Sequence, residues 1–474
     1  MSKRLLLVVC LLMGLLGPVS GASARPVQTD YSLAAIRRAD QAGRTADGKL
    51  EQLSSIEHVR RGSIYQVNRA FPEAREHWQA ILDRYPNDPA VANALFGMGR
   101  SYFQEKSYDR GLPFLIQVAN RFSDRMEGRD GLYFEASTLL RVGRAEEGAR
   151  RYEDYVKRFP NGEKIDMAFL NVIDTWREAG KPQEAIRWIA LARQRFPRSS
   201  TEVNAVFARL RLDLSGRDWN HAVQTADDLR AMSFPSGSMT NYSEVAFLRA
   251  YAMEQAGRKA DAITAYFGVA DTGSSYSGAL ASDRLLALVD GDQRPAVWDR
   301  IAKSRAAIMR SASLYPAPFR DDILRSARPR QVDPRLILAI MRIESGFRPN
   351  SKSPAAARGL LQFTPDTAMK YTARVGLRDF REDDLYKPSV SILLGSEYLA
   401  ELFELFPRLP EAVAASYNGG EDNAARWLKR SKQNDPGLFA AEVGFAETKD
   451  YVFKVIAGYR AYKVLYTEDL RRTF

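Results

Sequence analysis

Asp333–Thr367 reads DPRLILAIMRIESGFRPNSKSPAAARGLLQFTPDT. Asp333 followed by Pro334 predicts a helix start: a side-chain cap, then a residue whose missing N–H costs nothing in the first turn. Leu336, Ile337, Ile340, Met341 and Ile343 come next, at spacings that give a helix a broad apolar face. The helix is therefore expected to be largely buried, with Glu344 at its end, then Ser345 and Gly346. A carboxyl ending an apolar helix sits where burial raises its pKa. A carboxylic acid still protonated near neutral pH is what a general acid requires.

Further along stand Gly359-Leu360-Leu361-Gln362, Ser416-Tyr417-Asn418-Gly419-Gly420 and Glu447-Thr448-Lys449-Asp450-Tyr451-Val452. With Glu344-Ser345, these motifs in this order resemble the catalytic domain of the soluble lytic transglycosylases, over roughly the last third of the chain from about Leu314. The resemblance implies a goose-lysozyme-like α-helical fold and cleavage of peptidoglycan glycan strands. It implies Glu344 as the single catalytic acid and base. Ser345, Gln362, Tyr417, Asn418, Glu447 and Tyr451 become the substrate-binding residues. Glu344 would protonate the β-1,4 oxygen between N-acetylmuramic acid and N-acetylglucosamine. The muramoyl 6-hydroxyl would then close onto C1 to give a 1,6-anhydro end, with no metal or cofactor.

The sequence departs from the family pattern in places. Ala356 stands where the family usually has Gly, which is tolerable only if that position does not need a positive φ. Leu361 replaces a usual Met, a volume-conserving change. Ser416 replaces Ala, and Ser391 replaces a usual Asn ahead of Ile392-Leu393-Leu394-Gly395 and a helix carrying Tyr398, Leu399, Leu402 and Phe406.

The residue inventory agrees with acid catalysis. All three histidines, His58, His77 and His221, precede residue 314. A Ser-His-Asp triad, a Cys-His pair and a histidine-ligated zinc are thus unavailable within the last region. There is no phosphate-binding loop or dinucleotide fingerprint. Glycosidic cleavage needs an acid for the leaving oxygen, and usually a second carboxylate. No second carboxylate stands in the same motif as Glu344. Two rival readings remain: a goose-type muramidase that hydrolyses, and a scaffold that only binds glycan.

Upstream, an internal period dominates. Tyr85, Phe122, Phe159 and Phe196 are spaced by 37 residues, and Phe234 comes after a further 38. A small residue keeps the same beat at Ala74, Gly111, Gly148, Ala185 and Ala222, with a later one at Ala262, 40 residues on. Each unit reads as helix, turn, helix, with the small residue letting the pair approach closely. The pattern resembles tetratricopeptide repeats and predicts five or six hairpins stacked as a solenoid over residues 50–289. The aromatics at these beats read as core packing. The solenoid reads either as a binding surface for a protein partner or as an arm that positions the catalytic end; the partner's identity is not legible.

The expected class is therefore all-α: a helical-hairpin solenoid followed by a lysozyme-like catalytic domain. Residues 1–24 read as an export signal, with Lys3 and Arg4, an apolar run Leu5–Leu16 and Ala22-Ser23-Ala24 as the cleavage site. Cys10, the only cysteine, falls inside that segment and reads as part of it rather than as an acyl anchor. A polar leader (25–49), the repeats (50–289), a linker helix (290–313) and the catalytic domain (314–474) complete the division. The formal charge of +11 falls to +9 without Lys3 and Arg4. Without an aromatic–basic recognition motif, the charge points to an anionic bacterial envelope rather than nucleic acid. No stable membrane span is expected, and the location expected is the periplasm.

Overall fold

The computed structural model describes residues 29–432 and 434–474, with side chains from Leu33 onward. The expected export segment and Cys10 lie outside the described residues. Among these residues the chain is helical throughout, with isolated bridges but no strand. No helix among them is long and apolar enough to cross a membrane.

The 37-residue period is a ladder of helical hairpins. Ser55–Val67 pairs with Phe71–Arg84, Val91–Gln104 with Tyr108–Arg121, Met126–Arg141 with Ala145–Arg158, and Ile165–Glu178 with Pro182–Arg195. The small beat explains the close pairing. A Cβ on Gly111 would lie 2.9 Å from the Gly99 carbonyl oxygen, and one on Gly148 2.8 Å from that of Ala136. Ala74 and Ala185 fill the same place, fully buried. The aromatics Tyr85, Phe122, Phe159 and Phe196 each cap the second helix of a hairpin. There they pack, half-buried, against the apolar clusters between hairpins. Within the polar leader, Thr29–Ala42 is helical and buries Leu33, Ile36 and Asp40. Asp40 accepts a hydrogen bond from Tyr65 Oη at 2.6 Å and pairs with the buried His77. His77 Nδ1 in turn meets His58 Nδ1 at 2.9 Å.

The chain divides into two compact units, one ending at Leu212 and the other running from Asp213 to Phe474. The second unit therefore holds the last helices of the repeat stretch together with everything after residue 314. Six of its helices build or brace the region around Glu344: α1 (Tyr242–Gln255), α2 (Pro334–Glu344), α3 (Pro388–Leu405), α4 (Pro410–Gly419), α5 (Pro436–Glu442) and α6 (Ala446–Leu465). One apolar core joins α2, α3, α4 and α6 through Leu336–Met341, Leu394, Leu399, Val413, Val452 and Val455. Asp333 caps α2 as its sequence implies, its carboxylate accepting from the Arg335 N–H at 2.9 Å. Gly395 on α3 is the close-packing glycine: its Cβ would lie 2.2 Å from Leu361 Cδ1. Ser391, fully buried, accepts from the Leu361 N–H through its hydroxyl at 3.2 Å. The short side chain thus supports the loop that precedes it.

Candidate active site

The site begins where α2 stops. Leu336 through Met341 are at most 1 % exposed, so the helix is locked in the core up to its last turn. Ser345 caps it and Gly346 turns the chain at φ 55, the usual left-handed exit from a helix. Glu344, half-buried, is left at the rim of the apolar core. Its Oε1 accepts a hydrogen bond from Tyr451 Oη of α6 at 2.7 Å. Burial pushes its pKa up to about 7; the Tyr451 hydroxyl opposes that shift and the negative charge of Glu447 adds to it. A side chain in that state holds its proton for a useful fraction of the time at neutral pH, and can both give and take one.

Tyr417 of α4 faces the same carboxyl. Burial, with the Glu344 charge adding to it, holds its hydroxyl well above the ordinary tyrosine range. Its hydroxyl donates to the Leu361 carbonyl at 2.8 Å. It is therefore Tyr451, not Tyr417, whose hydroxyl bonds the acid. The Tyr417 ring packs 5.4 Å from Tyr398 and 6.1 Å from Phe363, edge-on to the latter, and Tyr371 continues the aromatic wall behind Tyr398.

The loop 351–363 is tied by backbone bonds between Arg358 and Phe363 and from the Gly359 N–H to Ser351. Gln362 sits in it at φ 49, and its Nε2 donates to the carbonyls of Gly359 and Ser351 at 2.8 and 3.1 Å. That directs its amide into the loop. Asn418 is exposed at the end of α4, and its Oδ1 accepts from the Thr448 hydroxyl at 2.6 Å. Thr448 thereby fixes the orientation of the amide. Glu447 is exposed on the first turn of α6. Ser345 is 1 % exposed, with its hydroxyl donated back to the Met341 carbonyl at 3.2 Å. The structure thus gathers Glu344, Tyr417, Glu447 and Tyr451 around one carboxyl. It sets Asn418 and Gln362 in supporting positions and turns Ser345 into its own helix.

Ala356 is at φ 62 and buried. The position does require the left-handed region, where an alanine costs about 1 kcal/mol more than glycine. Ala356→Gly is accordingly expected to stabilise the protein by about 0.5–1 kcal/mol, read as a higher midpoint in urea, with activity retained.

Sequence reading missed Thr448 as the residue that orients Asn418, and Tyr398, Tyr371 and Phe363 as the wall behind Tyr417. Tyr398 carried a weak signal, standing on the apolar face of α3; Thr448 and Phe363 stood in quoted stretches whose local sequence does not show these neighbours, and Tyr371 gave no signal. Among the described residues no group of His, Cys, Asp or Glu is placed to hold a metal ion. The second carboxyl with a pKa raised to about 7, Glu411 at the start of α4, faces Tyr276 and Asp435 instead of this site.

Residues 323–439 match the family described as Transglycosylase SLT domain, and residues 59–117 and 134–200 match that described as Tetratricopeptide repeat. The chain is 32 % identical over 150 residues to the soluble lytic murein transglycosylase of Salmonella typhimurium, covering 31 % of this chain and 23 % of that one. It is 31 % identical over 166 residues to the membrane-bound lytic murein transglycosylase C of Salmonella arizonae, covering 30 % of this chain and 45 % of that one. The matched stretch thus spans less than half the length of either relative. Among solved structures, an inactive mutant of the lytic transglycosylase Slt from Pseudomonas aeruginosa is similar over 93 % of this chain and 76 % of that one, with TM-score 0.50 and 20 % identity. The 70-kDa soluble lytic transglycosylase of Escherichia coli is similar over 95 % of this chain and 78 % of that one, with TM-score 0.50 and 16 % identity. At these identities the two structures speak for the fold alone.

Proposed function

We propose that this chain, which carries a transglycosylase SLT domain behind tetratricopeptide repeats, cleaves peptidoglycan glycan strands with Glu344 as its one acid and base. The observation that carries the reading is the Glu344 carboxyl itself, raised to about 7 by burial and bonded by Tyr451. Protonated Glu344 gives its proton to the β-1,4 oxygen as the bond from C1 of N-acetylmuramic acid breaks. The substrate's own N-acetyl group meets the positive charge at C1. Glu344, now a carboxylate, takes the proton of the 6-hydroxyl. That oxygen bonds to C1, closing a 1,6-anhydro ring and restoring the acid. No water is consumed.

Tyr451 serves the second half of this cycle by stabilising the carboxylate form, and burial serves the first by favouring the acid. Tyr417 and the aromatic wall keep the Glu344 side of the site dry, which strengthens both effects. Asn418, oriented by Thr448, offers its amide to the sugar. The reading of residues 1–24 as an export signal favours the bacterial envelope, where this substrate lies, and the positive charge suits its anionic polymers and lipids.

The products test the reading. Purified peptidoglycan incubated with the protein is expected to release fragments with anhydro ends, each lighter by one water than the reducing fragment, resolved by mass spectrometry. Reducing ends instead would mean hydrolysis, with Glu447, the carboxylate whose charge acts on Glu344, as the base for a water.

A further inference from the structure

We infer that Glu244, on the repeat-stretch helix α1, is a positioning residue for the Glu344 acid, acting through Lys449 at the start of α6. The inference rests on the reading of Glu344 as the acid. Lys449 Nζ lies 2.8 Å from Glu244 Oε1, and both side chains are only 4 % exposed. The other carboxylate oxygen accepts from the Thr240 hydroxyl at 2.8 Å. The backbone at Glu244 is fixed too, its N–H donating to the Asn241 side chain that caps α1. Lys449 also reaches the Ala441 carbonyl at the end of α5, at 3.4 Å. An ion pair this well buried is strongly coupled to position, because neither charge tolerates separation in an apolar surrounding.

Two further contacts lie along the same stripe of α6. Phe453 stacks on Tyr276 at 4.8 Å between ring centroids, and Arg460 grips Asp271 through two bonds of 2.8 Å each. At about 100° per residue, Lys449, Phe453 and Arg460 fall within about 40° of one another on the helix. Tyr451 lies about 200° round from Lys449 and Glu447 about 160°, on the opposite side. The helix α6 is therefore a partition. One side is bolted to repeat-stretch elements; the other presents Tyr451 and Glu447 to Glu344. Lys449 is the bolt nearest the first turn. Just before that turn, Val443–Phe445 are outside any helix but held on the core side, Val443 fully buried and Phe445 packed edge-on to Trp427 at 5.2 Å, so Lys449 is the tie on the repeat-stretch side. At Gly437, α5 presses flush on α1, its would-be Cβ 2.3 Å from Phe247 Cε1, which seats the approach to that turn.

The groups facing Glu344 are Tyr451 and Glu447 from α6 and Tyr417 from α4, with Tyr398 of α3 behind it. If the first turn of α6 relaxes while Glu344 stays buried, the two α6 influences on it weaken together, and the larger of them, the Tyr451 hydrogen bond, favours the carboxylate. The basic limb of the pH–rate profile then moves to higher pH.

The test is the double variant Glu244→Leu/Lys449→Met in the full chain, which removes both charges together and leaves neither buried alone. The expected result is a melting temperature near that of the wild type and KM within about twofold. The turnover number should fall by about tenfold to a hundredfold, the scale of a misplacement near 1 Å. The basic limb should rise by about half a pH unit or more. Glu244→Gln keeps an acceptor but not the charge for Lys449, so it should shift turnover and the basic limb in the same direction by less; if the double variant does not fold, wild-type turnover and pH profile in Glu244→Gln overturn the inference. A folded variant with wild-type turnover and wild-type pH profile, beside an inactive Glu344→Gln, overturns the inference alone. Full activity of Glu344→Gln overturns the acid assignment and the inference with it.

Discussion

Glu344→Gln is expected to lower turnover of purified peptidoglycan by a factor of about 10³ or more, and to make the protein more stable at pH 8. The first effect comes from the double duty of the carboxyl. A positioned general acid is worth about 10²–10⁴ in rate, and here the same group also removes the proton of the attacking hydroxyl. An amide does neither. The second effect comes from linkage. Burial raises the pKa of Glu344 from 4.5 to about 7 in the folded protein. A carboxyl raised on folding contributes its stability below the unfolded value, near 4.5, and loses it as the pH climbs through the folded one, near 7. Above pH 7 the folded state holds a charge it would rather not bury. Glutamine, neutral throughout, escapes that cost. The full shift would be about 3 kcal/mol, and partial solvent access to Glu344 brings the gain nearer ~2 kcal/mol. Thermal melts at pH 8 should show the variant several degrees above wild type, and melts at pH 4 should superimpose. Undiminished fragment release would remove Glu344 from its role. Loss of activity with no pH-dependent gain would mean the carboxyl is not held in the apolar rim described for it.

Much of the fold was legible in the sequence, and for identifiable reasons. The apolar stripe of α2, its Asp-Pro start and the terminal glutamate are all local, within one helix. The repeat was legible because a hairpin ladder imposes one spacing on aromatics and small residues alike. Distant pairings were not. Tyr417 and Tyr451 both stood in motifs, but which hydroxyl would reach Glu344 depended on how α4 and α6 pack on α2. Lys449 stood in a quoted motif, but nothing local marks it as buried and paired, because its partner, Glu244, belongs to a different part of the chain. The same kind of pairing, Asp271 on Arg460 and Tyr276 on Phe453, ties the last repeat helices to the C-terminal region. Periodicity marks where a repeat ends; it does not mark which neighbours its side chains choose. The unit that begins at Asp213 therefore cuts across the division drawn from the repeat alone. Backbone sign was only half legible: the resemblance flagged Ala356 as a usual glycine position, but nothing in three consecutive alanines says that the middle one is left-handed.

Gly359→Ala is expected to cost about 4 kcal/mol or more and to abolish activity with it. Two penalties act at once. The residue sits at φ 79, where a side chain costs about 1–2 kcal/mol. The added methyl would also lie 1.9 Å from the Leu385 carbonyl oxygen and 3.2 Å from Ser391 Oγ. The first of these is backbone and cannot swing aside as a flexible side chain would. Relief requires the loop to move by about 1 Å or more, well beyond what close-packed surroundings absorb. Each bond that anchors the loop resists: Gly359 N–H to Ser351 at 2.9 Å, the Arg358–Phe363 pair at 2.8 and 3.1 Å, and Leu361 N–H to Ser391. If the loop does move, it takes Gln362 and the Leu361 carbonyl with it, and the Leu361 carbonyl is what holds Tyr417 beside the acid. Ala356, earlier in the same loop, makes the contrast: it too is left-handed, yet its methyl is housed, so only the small conformational cost applies. Urea unfolding of Gly359→Ala should show a midpoint far below wild type, alongside loss of glycan cleavage under conditions where the protein is still folded. A variant within about 1 kcal/mol of wild type, or one that is stable and fully active, would show that the loop yields freely and that Gln362 and Tyr417 do not depend on it.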